Sequence, residues 1–272
     1  MLTQAQKGLA FRALHARDHA FIIPNPWDVG TARLLAHLGF EALATTSAGY
    51  AFSVGKRDNT IERDEMLQHA SEIVSATDLP VSADLENGFG DSPEAVAATI
   101  RLAAATGLAG ASIEDMAREG HAIYPHAYAV ERVRAAAEAV RGLHSPFVLT
   151  ARAENYLVGN PDLKDTIKRL QAYQSAGADV LYAPGLTNKE EIGAVVRAVD
   201  RPINVVMGLQ GVQLSLAELS ALGVKRISVG SALSRAALGA FLRAAHEMKE
   251  NGTFSFAEQA VSYREISAMF KP

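Results

Sequence analysis

Short apolar runs rich in β-branched residues alternate along the chain with longer amphipathic stretches. The runs FIIP (21–24), ALAT (42–45), VSAD (81–84), ASIE (111–114), FVLTAR (147–152), VLYA (180–183), INVVM (203–207) and RISV (226–229) read as eight strands. The stretches between them carry helix punctuation. Ser92 is placed to cap a helix whose first residue is Pro93, and another helix opens near Asn160-Pro161-Asp162. Gly39, Gly107, Gly177 and Gly223 each close a helical stretch just before a strand, where a left-handed residue ends a helix. The phrases ATGLAGASIE, SAGADVLYA and ALGVKRISV repeat one unit of helix end, glycine and buried strand.

Strand–helix alternation predicts a parallel sheet, and eight such units predict a single α/β (β/α)8 TIM barrel over residues 1–272. An open doubly wound sheet is the rival, but no G-x-G-x-x-G follows the first strand. Two segments exceed a minimal barrel. Residues 1–18 predict an extra N-terminal helix, and residues 251–272 a C-terminal helical extension with a helix over 256–270.

Composition narrows the picture. Hydrophobic residues make up 49% of the 272, enough for a packed core. The formal charge of −4, from 26 basic and 30 acidic residues, gives no electrostatic footprint for nucleic acid. The absence of cysteine excludes disulfides, thiolate metal sites and a cysteine nucleophile, and suits the cytoplasm. Charges run through the first twenty residues, and no 18-residue window is uninterruptedly apolar, so neither a signal peptide nor a membrane span is expected. His15, His19, His37, His69, His144 and His246 carry no ligand spacing and read as surface or boundary residues.

Strand C-termini of such a barrel open on one face, where chemistry gathers. The second strand leads to Thr45, Thr46, Ser47 and Asp58; the third to Asp84 and Glu86; the fourth to Glu114 and Asp115. The fifth leads to Arg152, Glu154 and Asn155, the sixth to Tyr182, and the seventh to Asn204. Asp84 and Glu86 lie two apart, so on an extended chain they share a face. With Glu114 and Asp58 they form a predicted acidic cluster that needs a counter-charge. An all-oxygen set suits Mg2+, or Mn2+, better than Zn2+. The alternative is a structural ion network with Arg152, Lys56 and Arg57.

The segments DLENGFG, SIED, TARAEN and GKRD, with AGADVLYAPG and LGVKRISVGSALSRAALGA, resemble the isocitrate lyase/phosphoenolpyruvate mutase superfamily over about residues 21–247. The resemblance implies a barrel binding one Mg2+, with Asp84 as direct ligand and Glu86, Glu114 and Asp58 supporting it through water. It implies that Arg152 pairs with a substrate carboxylate and that the backbone N–H groups of Thr46, Ser47 and Ala48 hold that carboxylate too. Trp27, Asp28, Tyr182 and Asn204 are further candidates for substrate contact. It also implies a homo-oligomer, tetramer or dimer, often with an exchanged last helix.

Two departures matter. Isocitrate and methylisocitrate lyases carry a K-[KR]-C-G-H loop, and here Glu119 stands at the cysteine position of Ala117-Arg118-Glu119-Gly120-His121. The asparagine-bearing loop of phosphonate enzymes is absent after the same strand. Glu119 or His121 is therefore the expected proton donor or acceptor of a closing loop. The expected activity is Mg2+-dependent cleavage of a C–C bond in a small α-oxo or α-hydroxy carboxylate, through an enolate whose charge the cation stabilises. The alternatives are phosphonopyruvate-type P–C chemistry, oxaloacetate decarboxylation, and a non-catalytic metabolite-binding barrel.

Overall fold

The computed structural model describes residues 2–119 and 122–270. Its strands are β1 (Phe21–Ile23), β2 (Leu43–Ala44), β3 (Val81–Asp84), β4 (Gly110–Glu114), β5 (Val148–Arg152), β6 (Val180–Tyr182), β7 (Ile203–Val206) and β8 (Arg226–Ser228). Its helices are α1 (Gln4–His15), α2 (Val29–His37), α3 (Ser47–Ser53), α4 (Arg63–Ala76), α5 (Pro93–Ala105), α6 (His126–Arg141), α7 (Leu163–Ala176), α8 (Lys189–Ala198), α9 (Leu216–Ala221), α10 (Ala232–Asn251) and α11 (Tyr263–Met269). All eight expected strands form, each within a residue or two of its expected bounds.

The strands pair in parallel in the order β1-β8-β7-β6-β5-β4-β3-β2. Ala44 N–H donates to Pro24 O at 3.1 Å and Asn25 Nδ2 donates to Thr45 O at 3.0 Å, which draws the two end strands together into a nearly closed barrel. The helices start where local chemistry favours them. Ser92 Oγ accepts the Ala95 N–H with Pro93 in the first turn, and Asp162 accepts the Lys164 and Asp165 N–H groups. Gly177 ends α7 at φ 113°, and a Cβ there would lie 2.9 Å from the Ala137 Cβ, so both conformation and packing require glycine.

Apolar side chains between barrel and helices, among them Ile61, Met66, Leu85, Ile100, Tyr173 and Ile192, make the larger core. A second core fills the bottom of the barrel, and the N-terminal helix supplies it. Phe11 and Leu14 of α1 pack with Phe21, Ile23, Ala109, Val148 and Val180. Gly8 lets α1 sit this close, because a Cβ there would fall 2.1 Å from Pro146 O. The extra helix is thus a plug at the bottom of the barrel.

Two expectations are corrected. The helix expected over 256–270 is split into a 3-10 turn (Ser255–Gln259) and α11, because Ala260 is extended and Ser262 caps a new helix through the Glu265 N–H. His15 and His69 are buried rather than at the surface: His15 lies edge-on to Phe11 and Phe21, and His69 stacks on Tyr50 at 3.9 Å. Burial lowers them to about 3 and about 4, so both are neutral at pH 7. Helix α10 is mostly exposed. Of its side chains only Ser234 is buried, while Leu238, Phe241, Leu242 and Met248 are exposed.

Candidate active site

One inward row of polar residues crosses five strands. Glu114 is in register with Arg152, Arg152 with Tyr182, Tyr182 with Asn204, and Asn204 with Arg226. Barrel interiors are ordinarily filled with apolar side chains, so such a row marks the working end. Above it opens a cavity of about 210 Å3, lined among others by Thr45, Thr46, Ser47, Ala48, Asp58, Asp84, Arg152, Tyr182, Arg226 and Arg235.

Arg152 is the hub. Its Nη1 lies 2.9 Å from Asp84 Oδ1, its Nη2 3.0 Å from Glu114 Oε2, and its Nε 2.8 Å from Glu154 Oε1. The guanidinium also lies over the Tyr182 ring, 5.3 Å from its centroid. Burial pushes the carboxyls of Glu114 and Glu154 up, and the charge of Arg152 opposes that push. Behind the hub, Asp115 accepts the Glu154 N–H at 2.8 Å, the Tyr173 hydroxyl at 2.5 Å and the Arg169 guanidinium at 3.1 Å. This buried tether holds Glu154, and through it Arg152, in place.

Asp84 projects into the cavity. The Ser47 hydroxyl donates to Asp84 Oδ2 at 3.1 Å. Asp58 stands on the exposed rim, where crowding of its carboxyl and then the charge of Asp84 raise its pKa. Thr45 Oγ1 accepts the Asp84 N–H at 2.9 Å, and Thr46 caps α3 by accepting the Gly49 N–H.

Asp84, expected as the direct metal ligand, lines the cavity, and the three residues expected to support it through water differ in placement. Strand β3 ends at Asp84, and Glu86 follows at φ 49°, so the alternation that would align the two is lost. The Glu86 side chain is 2% exposed, 3.0 Å from Arg118 Nε, and pushed up to about 8, chiefly by burial. Glu114 is turned to Arg152. Among the described residues no group of three or more acids and histidines has metal-holding geometry. Asp84 and Asp58 both line the cavity, where Asp84 is also bonded to Arg152. One or two carboxylates, hydroxyls and water suit Mg2+, which keeps much of its hydration and takes oxygen from its substrate. The donor set fits that ion in this water-rich form.

Several other expectations move. Asn204 does not line the cavity; it donates to Ser228 Oγ at 3.0 Å and accepts from Arg226 Nε at 2.8 Å, and so positions its neighbours. Asp28 caps α2 through the Thr31 N–H, and Trp27 packs where α3 passes at Gly49; neither lines the cavity. Glu119 is exposed beside Arg118 in a separate shallow groove, and His121 lies outside the described residues. Of the expected structural cations, Arg152 does pair with acids, whereas Lys56 pairs with Glu65. The N–H groups of Val229 and Gly230 donate to Asn25 Oδ1 at 2.9 and 3.0 Å, so the loop before α10 is held internally.

Sequence reasoning missed Arg226. It lies 4% exposed at the floor of the cavity, donating from Nε to Asn204 and from Nη1 to Thr150 Oγ1 at 3.0 Å. Burial lowers it to about 10, which leaves it charged at neutral pH. The available signal was the alternation in Arg226-Ile227-Ser228, where an outward Ile227 turns both polar neighbours inward.

The phosphoenolpyruvate phosphomutase family model matches residues 11–249. A Burkholderia cenocepacia J2315 protein described as a candidate lyase/mutase is 65% identical, with a TM-score of 0.96 over 97% of this chain and 96% of that one. The 2-methylisocitrate lyase of Escherichia coli is 32% identical over 72% of this chain and 68% of its own length. The oxaloacetate decarboxylase of Chromohalobacter salexigens is 29% identical over 92% of this chain and 88% of its own. With the family model spanning most of the barrel, the chain belongs to the phosphoenolpyruvate phosphomutase family, within the isocitrate lyase/phosphoenolpyruvate mutase superfamily, and is an enzyme of the lyase type found there.

Proposed function

We propose that the protein is a Mg2+-dependent lyase that cleaves a C–C bond in a small α-oxo or α-hydroxy carboxylate. The observation that carries this reading is the placement of Arg152, caged by three carboxylates, beside the Asp84–Ser47–Asp58 rim of one cavity. Asp84 and Asp58 would hold the cation, with Glu114 supporting from behind Arg152 and Glu86 tied to Arg118. Mg2+, when bound, supplies positive charge where negative charge develops on an α-oxo acid. Arg152 presents a planar fork that orients a substrate carboxylate, and its cage keeps the fork fixed while the substrate exchanges. Thr46, Ser47 and Ala48 line the same wall and position that carboxylate. Tyr182 closes the opposite side. Glu119, which faces solvent here, and His121 are the proposed proton-transfer groups.

A second reading, oxaloacetate decarboxylation, is favoured by the relative of that name, which this chain matches across 88% of its length. One screen separates the readings. Purified protein is incubated with Mg2+ and a panel of 2-oxo and 2-hydroxy di- and tricarboxylates, oxaloacetate and phosphonopyruvate, and oxo-acid release is followed before and after EDTA. Release that stops with EDTA supports the lyase; release of CO2 from oxaloacetate selects the decarboxylase. Thermal stabilisation by these acids without turnover means a metabolite binder.

The assembly we propose is a homo-oligomer, dimer or tetramer, closed through α10. A 20-residue helix with Phe241 65% exposed and Leu242 54% exposed leaves an apolar face that a second copy would cover. No described helix is long and apolar enough to cross a membrane. A cytoplasmic protein acting on small carboxylates, with neither nucleic acid nor membrane as partner, is the corresponding proposal.

A further inference from the structure

The segments that follow three neighbouring strands meet at one side chain. Among the described residues, those other than glycine with positive φ are Asn59, Glu86 and Phe89, at 61°, 49° and 56°. Asparagine tolerates that conformation, whereas glutamate and phenylalanine adopt it at a cost that surrounding contacts must offset. Arg118 touches all three. Its Nη2 donates to Asn59 O at 2.9 Å and to Ile61 O at 2.6 Å, and its Nε lies 3.0 Å from Glu86 Oε2. Its guanidinium lies over the Phe89 ring, 5.2 Å from the centroid. The backbone that carries Arg118 is braced, because Met116 bridges Ile123 and the Ala117 N–H donates to Ala122 O at 2.8 Å. These anchors stand on the segments after β2, β3 and β4. Asn59 follows Asp58 directly, Glu86 stands two residues after Asp84, and Arg118 itself precedes Glu119. The Asn59 N–H also donates to Asp58 Oδ1 at 3.0 Å, so whatever fixes Asn59 fixes that carboxylate.

We infer that Arg118 is a positioning residue for the acidic rim. It fastens the 58–61 and 86–89 turns to the root of the segment that carries Glu119, and so fixes Asp58 at the cavity. The inference rests on the reading that Asp58 and Asp84 serve a cation there. Arg118 acts through the backbone it holds, not by touching cation or substrate. A planar fork with a stacking face suits two carbonyls, a carboxyl and a ring together; an ammonium point charge serves only some of them.

Hydrogen–deuterium exchange and Mg2+ calorimetry on the wild type, Arg118→Gln and Arg118→Lys test this. In Arg118→Gln the amides of residues 54–62 and 86–90 should exchange about fivefold faster or more, while those of β5, β6 and β7 keep their rates. Mg2+ should bind about tenfold more weakly, the worth of one charged hydrogen bond. Arg118→Lys should recover part of both effects. A merely structural contact would raise exchange and leave Mg2+ affinity at the wild-type value. That result overturns the inference, as does unchanged exchange in either segment, and in both cases the lyase reading stands. If Arg118→Gln does not fold, Arg118→Lys is read against the same outcomes, with smaller shifts of the same sign expected. A wild type that binds no Mg2+ removes the metal reading. The exchange arm then decides alone: faster exchange in both segments sustains Arg118 as the fastening of the rim, and unchanged exchange removes it.

Discussion

Arg152 Nη1 lies 2.9 Å from Asp84 Oδ1, and this contact joins the two halves of the site. It also sets the cost of changing the arginine. Removing the guanidinium by Arg152→Gln strands Glu114 and Glu154, both essentially buried, and should destabilise the fold by about 3–5 kcal/mol. Arg152→Lys keeps the charge but not the fork, and should lower kcat/KM by roughly 10- to 100-fold, the worth of about 1.5–3 kcal/mol of charged hydrogen bonding. Urea denaturation and steady-state kinetics on the two variants check both numbers.

The plug makes a separate prediction. Phe11 is fully buried in the lower core, and Phe11→Ala should cost about 3–5 kcal/mol. Chemical denaturation measures it. If α1 were only an appendage, the loss would stay below about 1 kcal/mol.

Acid sensitivity follows from the same region. His15 is held neutral at about 3, below its unfolded value of 6.5, so the unfolded chain takes up its proton first as pH falls. Stability from this group is complete above pH 6.5 and is lost progressively as pH falls towards 3, by about 2 kcal/mol at pH 5. His15→Phe should flatten the stability profile between pH 6.5 and pH 5 relative to wild type. An unchanged slope in denaturation series at these pH values would contradict the burial argument.

The fold was legible because each barrel unit announces itself locally. An apolar run, a capping residue and a glycine suffice, and Ser92, Asp162 and Gly177 do in the structure what their residue types dictate. The site was legible to the level of which strand ends carry charge. It was not legible beyond the last strand residue. Glu86 leaves the extended conformation one residue after Leu85, and its carboxylate goes to Arg118 rather than to the cavity. Asn204 and Arg226 form a hydrogen bond across adjacent strands, a contact that depends on register, which no single strand encodes. Trp27 and Asp28 sit in the first loop as expected, but the capping of α2 claims Asp28 for structure.

The exposed face of α10 predicts assembly. Light scattering after size exclusion should give a dimer or tetramer for the wild type, and Phe241→Glu with Leu242→Glu should shift it to monomer. A monomeric wild type would sink the proposed interface.

Gating has its own test. Glu119→Gln and His121→Ala should each lower kcat tenfold or more on the substrate found by the screen, the usual worth of a positioned proton donor. If both variants turn over at the wild-type rate, the loop residues have no part in proton transfer.

The most direct measurement is titration calorimetry of Mg2+ and then oxalate, an enolpyruvate mimic, into wild-type protein and Asp84→Asn. The expected result is a Mg2+ binding heat that Asp84→Asn abolishes, and oxalate binding that appears only after the cation. Absence of heat from Mg2+ in the wild type, or a Mg2+ heat that survives Asp84→Asn, would contradict a metal-assisted lyase built on this acidic wall.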